Sequence, residues 1–133
     1  MSASSTTASK PKLKLLDLVV LTRKSFGAHA TITLEINGVH LTKQESGVGA
    51  VDAVYKTIKE MVPHDNAEFL VSHVENEKQS KGSDGVAHVR ADFMVGGTEI
   101  VGEGSDVDTL VATALAMLDA LSQIACFDQG TSH

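Results

Sequence analysis

Two helix starts in this chain carry the residue types best suited to chemistry. The first lies in ESGVGAVDAVYKTI, residues 45–58, where Gly47 and Gly49 precede an amphipathic run and Asp52 falls in its first turn. A helix begins with N–H groups that have no intrahelical acceptor and with the positive end of its dipole, so such a start suits a phosphate or a carboxylate. No Gly-Lys-Ser/Thr follows, and the third glycine of a dinucleotide fingerprint is absent, which argues against a nucleotide. A tight turn capped by Asp52 explains the same residues without any ligand. The second start, Ser105-Asp106-Val107-Asp108, has the form of a capping box. Asp52, Asp106 and Asp108 are also the acids that an ammonium group could meet, so a small zwitterion suits these starts chemically.

Other chemistry finds little support. The six histidines, His29, His40, His64, His73, His88 and His133, include no pair at i, i+2 or i, i+4 and no HExxH pattern, so no metal site is expected. His73 and His88 fall on expected strands where they could face each other. No Gly-x-Ser-x-Gly elbow is present, and Cys126 has no histidine positioned by sequence, so no catalytic residue and no cofactor is expected.

The elements that would carry these starts occur twice. LKLLDLVVLT, residues 13–22, suggests a strand with both faces largely covered, and HATITLEIN, residues 29–37, alternates apolar and polar. Asn37-Gly38 is a favoured hairpin turn, which predicts an antiparallel return over residues 39 to about 45. Val51, Val54, Tyr55, Ile58, Met61 and Val62 then keep helical spacing until Pro63. The second half repeats the order: a strand over 68–75, a polar loop, a strand over 87–95, Gly96-Gly97, a return over 98–103, and a helix with Leu110, Val111, Ala114, Met117, Leu118 and Leu121 on one face. Hairpin glycines pair at 97 − 38 = 59 residues, whereas Asp52 and Asp108 pair at 108 − 52 = 56, which implies a three-residue difference between turn and helix. The fold expected is α+β: two quasi-symmetric βββα units, about 13–62 and 68–125, with antiparallel sheets packed on helices in one domain, 13–125. Residues 1–12 read as a flexible tail or linker and 126–133 as a C-terminal tail.

Charge and composition narrow the partners. The chain has 133 residues, 11 Lys+Arg against 17 Asp+Glu, a formal net charge of -6 and 4% aromatics, which disfavours nucleic acid and an anionic membrane surface. The charge is uneven: residues 1–62 hold 8 basic and 5 acidic side chains, and residues 63–133 hold 3 and 12, so the halves could attract each other within or between chains. A single cysteine, no apolar run of membrane-spanning length and no secretory start together suggest a cytoplasmic protein.

SGVGAVDAVYKTI, EFLVSHVE and SDGVAHVRADFMVGGTEIVGEGSDVDTLVATALAMLDAL resemble the C-terminal allosteric domain of the 2-isopropylmalate synthase and citramalate synthase family, over roughly residues 13–124. The resemblance implies two βββα units that form a homodimer and bind leucine or isoleucine, a branched-chain amino acid effector, to inhibit a catalytic synthase domain or subunit in branched-chain amino acid biosynthesis. It implies an effector site at Gly47, Val48, Gly49, Val51 and Asp52, together with Leu70, Ser72, Asp84, Gly85 and Ala87; Ser105, Asp106 and Asp108 would form a possible second helix-start site. The chain departs from the family's usual proline at Ala50, tyrosine near Ser72 and alanine at Gly85. It lacks the metal-binding His-x-His and barrel sequence of the catalytic part, so it is not expected to be an enzyme by itself. A dimerisation or docking module of the same fold that binds no ligand is the alternative.

Overall fold

A computed structural model describes residues 12–62, 67–75 and 85–131, the last segment with side chains to Ile124. The order is β1 (Leu13–Arg23), β2 (Gly27–Ile36), β3 (Val39–Gly47), α1 (Ala50–Met61), β4 (Ala67–Glu75), β5 (Ala87–Val95), β6 (Thr98–Asp106) and α2 (Thr109–Thr131). Two antiparallel sheets, β1-β2-β3 and β4-β5-β6, each lead into a helix, giving the α+β pair of βββα units. The positive φ of Asn37, Gly38, Gly96 and Gly97 closes the two hairpins that the Asn-Gly and Gly-Gly turns predict. Most of the expected 1–12 tail, Pro63 and most of the polar loop before β5 lie outside the described residues. Helix α2 runs to Thr131, into the segment expected as a C-terminal tail.

The core forms where the inner faces of the sheets meet the helices. Ala30, Ile32 and Leu34 of β2 pack with Val54 and Ile58 of α1, and Val89, Ala91 and Phe93 of β5 with Met117 and Leu121 of α2, in one buried cluster. Strand β6 and α2 approach unusually closely: a Cβ on Gly102 would stand 2.2 Å from the Ala116 carbonyl, and one on Gly104 would stand 2.5 Å from that of Ala112. Ala112, Ala116 and Ala120 are the matching small residues on the helix, all fully buried.

The expected double coverage of β1 is not found. Its exposure alternates, and Val19 and Leu21 stand more than half exposed on the outer face, because both helices lie on the inner side. The repeat also differs from expectation, since its length is uniform from the second strand onward. The first α1 bond runs from Ala53 N–H to the Gly49 carbonyl and the first α2 bond from Ala112 N–H to the Asp108 carbonyl, so the two caps pair at 108 − 49 = 59 residues. Asp52 therefore corresponds to Val111, not to Asp108. In the first strands the offset is 70 − 16 = 54, set by matching bulges at Leu16 and Leu70.

Candidate functional site

The first helix start is a tight turn with an uncapped helix beyond it. Asp52 accepts a hydrogen bond from the Val48 N–H at 3.0 Å and pairs with Lys56 at 3.4 Å, so its carboxylate ties down the turn rather than the cap position. The two glycines do different work. A Cβ on Gly47 would come within 2.5 Å of the Ala53 nitrogen and 2.6 Å of the Asp52 carboxylate, whereas one on Gly49 would meet nothing within 4 Å. Gly49 is the N-cap, with φ −149° and no side chain to accept from the first turn. No side-chain cap hydrogen bond reaches the first turn of α1. Val48 is 87% exposed beside it.

The second start is built from the same parts but closed by its own side chains. Asp108 Oδ1 accepts from the N–H groups of Leu110 at 2.8 Å and Val111 at 3.2 Å, and Asp106 Oδ2 accepts from Asp108 N–H at 2.9 Å. Ser105 is not the cap that its capping-box pattern suggests. It lies on β6 and meets His88 Nδ1 at 2.8 Å, as Ser46 meets His29 in the first unit. The Leu110 and Val111 donors of this start are thus satisfied within the chain. Next to them, Leu18 and Val20 of β1 with Asp108, Leu110 and Val111 line a cavity of about 130 Å³.

The strand half of the expected site sits on the other sheet. Leu70 is the bulge residue of β4 and is 44% exposed; Ser72 is half-buried opposite Ala91; Ala87 is buried at the start of β5. Gly85 turns into β5 with φ +78°, and Asp84 lies outside the described residues. Helix start and strand meet through rings: Tyr55 of α1 stacks on Phe69 of β4 with centroids 4.9 Å apart, and both lean on Phe93. Burial pushes the Tyr55 hydroxyl above the usual 10.0, against the lowering effect of a hydrogen bond with the Phe69 backbone. No Cα of α1 lies within 8 Å of one of β4, whereas α2 and β1 do come that close. The groove that borders Gly47 and Val48 is shared with the tip of the β1–β2 hairpin rather than with β4.

Several residues escape sequence reasoning. Arg23 and Phe26 form the tip of the β1–β2 hairpin, with the guanidinium 5.8 Å from the ring, and border an open groove of about 510 Å³ with Gly47 and Val48. Asp92, only 6% exposed, bonds Arg90 Nε and His73 Nε2, each at 3.2 Å. The register places His73 opposite Arg90 and His88 opposite Glu75, so the two histidines do not face each other. Among the described residues no group of three His, Cys, Asp or Glu side chains could hold a metal ion. No described helix is long and apolar enough to cross a membrane.

A family profile described as the LeuA allosteric (dimerisation) domain matches residues 1–125. The chain is 36% identical over 115 residues to a 2-isopropylmalate synthase of Methylorubrum populi and 36% identical over 114 residues to one of a Bradyrhizobium species; the matches cover 86% and 85% of this chain and 21% of each relative. A 2-isopropylmalate synthase of a Caulobacter species is 38% identical over 99 residues, covering 74% of this chain and 18% of the relative. The chain therefore spans about a fifth of the length of these relatives.

Proposed function

The chain belongs to the LeuA allosteric (dimerisation) domain family, and on that premise we propose that it binds leucine or a close branched-chain relative, as a homodimer, to impose feedback inhibition on an isopropylmalate-synthase-type catalytic part. The observation that carries this reading is the asymmetry of the two helix starts. Asp108 supplies a carboxylate to the first turn of α2, while Gly49 leaves the equivalent donors of α1 without one and leaves room beside them. An amino acid's carboxylate suits those donors, because backbone N–H groups and the helix dipole both favour negative charge there. Its aliphatic side chain suits Val48, Val51 and β4 at Leu70 and Ser72. Gly85 and Ala87 would shape the end of the pocket from the next strand, and Asp84 belongs to the same proposed wall.

Calorimetric titration with leucine, isoleucine and valine tests the proposal. Saturable heat with at least one of them is expected; its absence from a folded, dimeric sample would defeat the effector claim. The alternative, a docking module that binds no ligand, draws on the exposure of Phe26, Val48, Val19 and Leu21. It predicts a concentration-dependent dimer with no response to any of the three amino acids.

A further inference from the structure

Resting on the effector reading above, we propose that the cleft between β1 and the start of α2, the second copy, is a self-occupied version of the effector site between β4 and the start of α1, the first copy, with Leu18 and Asp108 standing where an amino acid's side chain and carboxylate stand in the first copy. The internal symmetry gives the correspondence residue by residue. Leu18 and Val20 of β1 match Ser72 and Val74 of β4 through the 54-residue offset fixed by the two bulges. Asp108, Leu110 and Val111 match Gly49, Val51 and Asp52 through the 59-residue offset fixed by the two first helical bonds.

The substitutions between the copies describe a ligand. Going from the β1–α2 cleft to the β4–α1 cleft removes a carboxylate held by two backbone N–H groups, Asp108 to Gly49, and an isobutyl group, Leu18 to Ser72. It adds one charge, Val111 to Asp52. A free amino acid with a leucine-sized side chain restores the carboxylate and the isobutyl group together, and brings an ammonium that suits the added acid. Space agrees with this: a Cβ at Gly49 meets nothing within 4 Å, and α1 stands farther from β4 than α2 does from β1. The groups that close the second copy leave a cavity of about 130 Å³, smaller than the groove of about 510 Å³ beside Gly47 and Val48.

Two reciprocal double variants of the full chain test this by leucine titration calorimetry, read as stoichiometry and affinity. The wild type is expected to bind one leucine per chain. Leu18→Ser with Asp108→Gly opens the second copy and should raise the stoichiometry to two; a folded variant that still binds one overturns the proposal. Gly49→Asp with Ser72→Leu closes the first copy, and should weaken leucine binding by at least about 100-fold while raising the thermal midpoint. Unchanged affinity in that variant overturns the proposal even if the other variant fails to fold, and leaves the effector reading standing. A wild type that binds no amino acid overturns both.

Discussion

Tyr55 stacks on Phe69 with ring centroids 4.9 Å apart and planes inclined by 30°, at positions matched in the internal repeat by Ala114 and Leu15. The internal repeat is therefore broken where α1 faces β4. Two aromatic side chains stand in place of a methyl and an isobutyl group, and the backbones they separate are farther apart than those of α2 and β1. Removing the ring from Tyr55 should cost about 2–4 kcal/mol, from lost burial and lost ring contact with Phe69 and Phe93. Urea unfolding of Tyr55→Ala checks the loss, and the same variant should lose leucine binding because the gap is no longer held open.

The Tyr55 hydroxyl also makes stability depend on alkaline pH. Its folded-state pKa is raised above 10.0, chiefly by burial, so the folded protein holds the proton more tightly than the unfolded chain. Stability from this group is complete below pH 10 and declines as pH rises through the higher folded value. The thermal midpoint should fall more steeply above pH 10 in wild type than in Tyr55→Phe, which has no proton to lose there. Parallel curves for the two proteins would exclude the linkage.

Gly47 and Gly49 should respond in opposite directions. Gly47→Ala places a Cβ against backbone at 2.5 Å and should destabilise by about 1–3 kcal/mol. Gly49→Ser adds a capping hydroxyl in open space at an extended φ of −149°, and should stabilise by a few tenths of a kcal/mol. Denaturation midpoints of the two single variants decide this, and similar destabilisation by both would mean that Gly49 is also sterically required.

Asp92 is a structural acid on β5. Replacing it with alanine leaves Arg90 and His73 without their common partner at a buried position, at a cost of about 1–3 kcal/mol. His73→Ala keeps the Arg90 contact and should cost well under half as much. Chemical denaturation of both variants provides the comparison; equal costs would mean that His73 is the dominant partner.

Strands, helices and hairpins were legible because period-2 and helical spacing, Asn37-Gly38 and Gly96-Gly97 act locally. The coverage of β1 was not, because Val19 and Leu21 look like core residues in sequence, and only the placement of both helices on one side exposes them. The helix caps were misaligned for a similar reason. Two acids, Asp52 and Asp108, invite pairing, yet Asp52 turns back to Val48 while Asp108 caps its own helix. Ser105 likewise has a capping pattern but is claimed by the strand and by His88. Arg23 and Phe26 gave no signal at all, since their neighbourhood with Gly47 and Val48 comes from the fold rather than from spacing.

The account's central claim is that one leucine bridges the start of α1 and β4. Amide chemical-shift mapping of the isotope-labelled chain during leucine addition tests it most directly. Perturbations at Gly47 to Asp52 should saturate together with those at Leu70 to Val74, while Asp108 to Val111, already served by the Asp108 carboxylate, remain unchanged. Saturating leucine that leaves both first-site segments unmoved, or that shifts only the start of α2, would contradict the account.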